Sequence, residues 1–148
     1  MIPAIHQAGA LFRDRVVALL PAVPSVDVVD ETFLAVPPEA VAAAFAPPET
    51  WTRLWPDLIL DVYLDRGSQG LRWTVGGALV GTMEVWLEPV LDGTLLHYFL
   101  RADLPGEASP RRVRREVRRR QLAAKGVSLG LKMTLERGRE PGVPPALP

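Results

Sequence analysis

Few side chains in this sequence are equipped to act on a small molecule, and no spacing among them activates a nucleophile. Histidine occurs only at His6 and His97, and a lone imidazole works as a general acid or base only beside a partner. Strand parity turns His97 to the outer face of its sheet, with no second histidine near it in sequence. Neither histidine has the His-x-x-His or Glu-x-x-His spacing that sets two ligands on one helix face, so no metal is expected. Cysteine is absent, which excludes disulfides, thiolate ligands and a cysteine nucleophile. Gly76-Gly77 joins two strands and is a turn rather than a phosphate cradle, so no cofactor is expected either. Tyr98 remains as the one weak catalytic candidate. Its phenol stands among aliphatic residues and would orient a carbonyl or enolate, although an ordinary buried phenol bonded to a neighbour accounts for the same residue. Arg72 and Glu84 alternate with apolar positions and should face solvent.

The elements that would position Tyr98 follow from hydrophobic periodicity. Ile5, Ala8, Phe12, Val16, Leu19 and Leu20 recur at helical spacing until Pro21, which predicts an N-terminal amphipathic helix over the first part of residues 1–24. Val26, Val28 and Thr32-Phe33 predict a strand that ends before Pro37. Pro37-Pro38-Glu39 opens a short helix through Phe45, and a second runs from Glu49 to Trp55, carrying Trp51, Leu54 and Trp55 as plugs for a core. From Leu58 the period becomes two. Strands are predicted over 58–65, 71–75, 79–88 and 94–101, separated by Gly67-Ser68-Gln69-Gly70, Gly76-Gly77 and Asp92-Gly93, with a bulge at Gly81.

Arg111 to Arg137 contains no proline and predicts one helix of about 40 Å, with Ser109 as its cap and Pro110 at its first position. Val113, Val117, Ala124, Leu131 and Leu135 form one stripe, which Leu122, Val127, Leu129 and Met133 widen. Gly126 and Gly130 each cost about 1 kcal/mol against alanine inside a helix, so either space for a ligand, a kink or close packing of Trp73 is expected there. Arg139 to Pro148 holds four prolines and is expected to be a flexible tail.

Seven arginines fall between Arg111 and Arg120, in a chain whose seventeen basic and seventeen acidic residues cancel. Positive charge in the first turns of a helix opposes the macrodipole. A solvated face paired with the acidic body accounts for the run; contact with nucleic acid or an anionic membrane is the open alternative, disfavoured because no aromatics interleave the run and the chain is neutral overall. The outer sheet face carries Ile59, Tyr63, Trp86, Leu95 and Phe99, which calls for a cover, either the N-terminal helix or a second copy in a homodimer.

A length of 148 residues with 48% apolar and 23% charged side chains suits one globular core. No apolar run reaches the roughly 18 residues of a membrane-spanning helix, and no basic leader precedes the N-terminal apolar residues. The reading is a soluble, cytoplasmic protein of α+β class.

Three segments in order, Ala35-Val36-Pro37-Pro38-Glu39-Ala40-Val41 running to Trp51 and Trp55-Pro56, Gly81-Thr82-Met83-Glu84-Val85-Trp86, and Asp92-Gly93-Thr94 leading to Tyr98, resemble the polyketide cyclase/dehydrase family of the START and Bet v 1-like superfamily. The likeness spans roughly residues 26 to 137. It implies a helix-grip fold over 25–138: a curved antiparallel sheet of about five strands wrapped around the long C-terminal helix, with two short helices after the first strand. It further implies a cavity between sheet and helix for a lipid-like or polyketide-like molecule. The expected lining is Leu60, Val62, Trp73, Val75, Met83, Val85, Leu96 and Tyr98, facing Leu122, Gly126, Leu129, Gly130 and Met133. Binding alone is the leading expectation. A cyclase or aromatase acting by substrate positioning is the alternative, and an interaction module built on the arginine helix is the second.

Overall fold

The computed structural model describes residues 23–137 together with Arg139, Glu140 and Val143. The expected N-terminal helix and most of the proline-rich tail lie outside the described residues. β1 (Val26–Leu34) is followed by α1 (Pro38–Phe45) and α2 (Pro48–Leu54), then by β2 (Leu58–Asp65), β3 (Gly70–Gly77), β4 (Val80–Val90) and β5 (Gly93–Asp103), and finally by α3 (Pro110–Glu136). The sheet order is β1-β5-β4-β3-β2, antiparallel throughout.

Each boundary has a local cause. Pro38 and Pro48 occupy first-turn positions, where their missing N–H costs nothing, and Glu39 and Glu49 complement the helix dipole. Ser109 caps α3 by accepting a hydrogen bond from the Arg112 N–H at 3.2 Å. Gly70 has φ +115° as β3 begins, and a Cβ there would stand 1.9 Å from the Val85 carbonyl oxygen, so only glycine lets β3 approach β4 at this point. The bulge lies in β2, where the register shifts between Val62 and Leu64; Gly81 instead sits in regular pairing, its missing Cβ making room for the Ala102 backbone.

Strand alternation sends Val26, Val28, Trp73, Val75, Met83, Val85, Leu96, Tyr98 and Leu100 into one buried face. The long helix α3 lies chiefly across β1. It turns Val113, Val117, Ala124, Leu131 and Leu135 to the core, together with the buried Arg120 and Ser128.

The second half of the expected helix lining faces the opposite way. Leu122, Leu129 and Met133 are 65%, 47% and 79% exposed, and Gly126 and Gly130 are exposed as well. Counting apolar residues misplaces this face because two polar side chains, Arg120 and Ser128, hold buried positions; the apolar outer residues lie about half a turn away. A Cβ at Gly126 or Gly130 would meet nothing within 4 Å, so these glycines neither line a cavity nor admit Trp73. Gly126→Ala and Gly130→Ala should therefore each raise stability by about 0.5–1 kcal/mol in urea unfolding. A loss of stability would show that the outer face is packed.

Candidate cavity beneath the first short helix

Five aromatic rings fill the space where α1 and α2 meet the sheet. Trp55 stacks on Phe45 at 6.4 Å and on Tyr98 at 6.3 Å, and Trp73 lies 6.0 Å from Trp55 and edge-on to Trp51 at 5.5 Å. The Trp51 indole N–H donates to the Phe45 carbonyl at 2.6 Å, which ties the two short helices together. Trp55 and Trp73 keep their indole N–H groups in the core without a protein acceptor.

Among the described residues an open volume lies beside this plug, lined by no residue of α3. A cavity of about 470 Å³ lies between α1 and the β2–β3 side of the sheet. Its floor is Leu71, Val85 and Leu87; its roof is Ala42, Ala43, Phe45 and Ala46; Trp51 and Val62 form the walls. The rim is polar, with Glu39, Asp65, Gly67, Ser68 and Gly70. The volume exists because three roof residues are alanines: side chains of leucine size on that face of α1 would close it. A volume of this size, apolar with a few polar groups at the edge, suits one small ligand.

Of the thirteen residues expected to line a cavity, Val62 and Val85 do so. Trp73, Val75, Met83, Leu96 and Tyr98 share the same sheet face but are packed in the core. Leu60 is half-buried against that core, and the five helix residues are the exposed ones described above. The roof alanines, Trp51, Leu71 and Leu87 were missing from the expected lining; the run Ala42-Ala43-Ala44 was the sequence signal that a helix over the sheet leaves space.

Tyr98 sits beneath Trp55, outside the cavity lining. Burial pushes its phenol well above the ordinary value; the Arg120 guanidinium acts in the opposite direction and Asp30 adds to the rise. At neutral pH it keeps its proton and can only donate or accept a hydrogen bond, not act as a base.

A polar network runs between α3 and the sheet beside it. Arg120 donates to both Asp57 oxygens, at 3.1 and 2.7 Å, and to Glu116 at 2.8 Å; Arg119 donates to the same two carboxylates. Desolvation would raise the Asp57 and Glu116 carboxyls, but the hydrogen bonds from Arg120 and Arg119 outweigh it and hold both below their ordinary values. Asp30, opposite Tyr98 in the β1–β5 register, accepts from Ser128 at 3.0 Å and Thr32 at 3.1 Å and pairs with Lys125 at 2.8 Å. These bonds satisfy the polar groups that the helix buries; they create no activated nucleophile.

On the outer face, His97 is buried between Trp86 at 4.3 Å and Phe99 at 6.3 Å. Its Nδ1 meets Glu31 at 3.1 Å and its Nε2 meets Glu88 at 2.9 Å. Arg72 and Glu84 lie on this face too, joined in an ion pair that also includes Arg66. Among the described residues no three metal-ligating side chains cluster, and no helix is long and apolar enough to cross a membrane.

No protein-family model matches the sequence, and no curated protein does. Similar solved structures exist at low identity. The Aha1 dimer from Colwellia psychrerythraea is 15% identical, with 78% of this chain and 99% of that one covered at a TM-score of 0.58. Protein Ms6760 from Mycobacterium smegmatis is 10% identical, with 80% and 96% covered at 0.60. StfQ, a di-domain ARO/CYC of the steffimycin biosynthetic pathway, is 14% identical, with 77% and 51% covered at 0.55. Identities this low establish architecture and nothing finer. The five-stranded antiparallel sheet, the two short helices after its first strand and the long C-terminal helix give this chain a helix-grip α+β fold, which these solved structures share.

Proposed function

We propose that the protein binds a small apolar molecule, lipid-like or polyketide-like, in the cavity beneath α1. The observation that carries this reading is the 470 Å³ volume with an aliphatic floor and an alanine roof. Burial of a ligand's apolar surface, about 25 cal/mol per Å², supplies the affinity. The polar rim of Glu39, Asp65 and Ser68 keeps the polar end of the molecule toward water. The ARO/CYC likeness supports positioning of a polyketide as the second reading, in which the cavity holds a flexible chain in a reactive fold. The proposal includes a cytoplasmic setting, supported by the cysteine-free sequence. It also includes a second copy against the outer sheet face, supported by the exposed Val29, Ile59 and Tyr63.

Native mass spectrometry of the purified chain reads both parts, as a bound mass and as the mass of a dimer. Titration with the fluorescent probe N-phenyl-1-naphthylamine then locates the site. Wild-type protein should bind one probe per chain, and Ala43→Phe and Ala46→Phe, which set rings across the cavity from exposed positions in and just after α1, should each weaken binding by at least about tenfold, or 1.4 kcal/mol. Unchanged binding by both variants, with the fold intact, would remove this cavity as the site.

A further inference from the structure

The face of α3 turned away from the sheet is divided in a way that the ligand cavity does not explain. Arg119 and Arg120 are held by Asp57 and Glu116. Arg111, Arg112, Arg114, Arg115 and Arg118 are exposed, and among the described residues none of them forms an ion pair. Between Pro110 and Glu136 there are nine basic and two acidic side chains, in a chain whose net charge is zero. Five arginines are thus placed where they repel one another and oppose the helix dipole, with no ion-pair partner among the described residues to offset the cost.

The same stripe continues as something else. Positions 111, 115, 118, 122, 129 and 133 fall on one side of a helix, about 33 Å from end to end. Its N-terminal half is arginine and its C-terminal half is the exposed Leu122, Leu129 and Met133, with the bare backbone of Gly126 between them. A partner must therefore offer anionic groups and aliphatic surface side by side.

Nucleic acid offers phosphates but nothing for leucine and methionine, and the stripe has no aromatic side chain on which a base would stack. A second copy of α3 fits poorly. Parallel alignment sets arginine against arginine; antiparallel alignment sets the arginines against Leu122 to Met133, where the nearest carboxylate, Glu136, is already engaged by Lys132 and the Ala35 N–H. The headgroup boundary of an anionic bilayer supplies both components at the right depth, phosphates at the surface and acyl chains just beneath. We propose that α3 docks the protein on an anionic lipid surface, with Arg111, Arg115 and Arg118 at the phosphates and Leu122, Leu129 and Met133 inserted at the acyl boundary.

The test is co-sedimentation of the full chain with vesicles of phosphatidylcholine, with and without roughly one third phosphatidylserine, at low and at 0.5 M salt. Binding should require phosphatidylserine and fall at high salt. The triple variant R111E/R115E/R118E and the single variant Leu129→Asp alter exposed side chains only, and thermal melts establish that both fold. The triple variant should bind at least about tenfold more weakly, since each basic side chain near the surface contributes several-fold. Leu129→Asp should lower binding roughly threefold or more while the arginines stay in place. Equal binding to neutral and anionic vesicles, or wild-type binding by the triple variant, would overturn the proposal. So would wild-type binding by Leu129→Asp together with saturable binding of a DNA duplex, an outcome that assigns the arginines to nucleic acid.

Discussion

Trp73→Ala is expected to destabilise the protein by about 4 kcal/mol, a large share of the total stability of a domain this size. Trp73 is 0% exposed and stands where α2 meets the sheet, edge-on to Trp51 and tilted against Trp55. It faces Met83 across β4 and Val62 across β2. Three elements therefore lose a shared contact when the indole goes, and a close-packed core refills such a hole only in part. One term opposes the loss. The indole N–H has no acceptor, and removing an unsatisfied buried donor recovers about 1 kcal/mol or more. Trp73→Phe keeps most of the ring and removes that donor, so its cost should be no more than about 2 kcal/mol. Urea unfolding followed by far-ultraviolet circular dichroism separates the two variants. If Trp73→Ala cost less than Trp73→Phe, the aromatic plug would not be the centre of the core.

Arg120→Met should cost about 3 kcal/mol at neutral pH, and the cost should shrink in acid. Arg120 is 3% exposed and holds Asp57 and Glu116 at once. Removing it leaves two partly desolvated carboxylates to Arg119 alone, which places the loss at the lower end of the range for breaking a buried pair. Both carboxyls lie below their ordinary values of 3.8 and 4.5 in the folded chain. In the unfolded chain they take up protons first as the pH falls. Their contribution is therefore complete above the ordinary carboxyl range and is lost as the pH drops through the lowered folded values. Urea midpoints of wild type and variant should be well apart at pH 7, closer at pH 4 and closest near pH 3. A gap that stays constant over that range would mean that Arg120 acts through packing of its stem and not through the two carboxylates.

Much of this architecture could be read in advance, because its signals are local. Period-two alternation from Leu58, the Asp92-Gly93 turn and the Ser109-Pro110 cap each fix a boundary within a few residues of the observed one. The strand face was legible for the same reason: parity along β3, β4 and β5 admits only two answers, and hydropathy chooses between them. The orientation of α3 was not. Its buried face holds Arg120 and Ser128, whose burial is tolerable only because Glu116 on the same helix, and Asp57 and Asp30 from distant parts of the chain, meet them. Those partners are 63, 4 and 98 residues away from the side chains they satisfy, so only the nearest is visible to a reading along the helix. The cavity escaped for a related reason. It is made by what α1 lacks, and a run of alanines reads as helix propensity before it reads as space.

Methyl-resolved NMR during titration with N-phenyl-1-naphthylamine reads whether the cavity beneath α1 receives the ligand. Saturating shifts are expected for Ala42, Ala43, Ala46, Val62, Leu71, Val85 and Leu87, which border the cavity, with Leu122, Leu129 and Met133 on the outer helix face unmoved. Shifts confined to the outer helix residues, or none anywhere at millimolar probe, would contradict binding in the cavity.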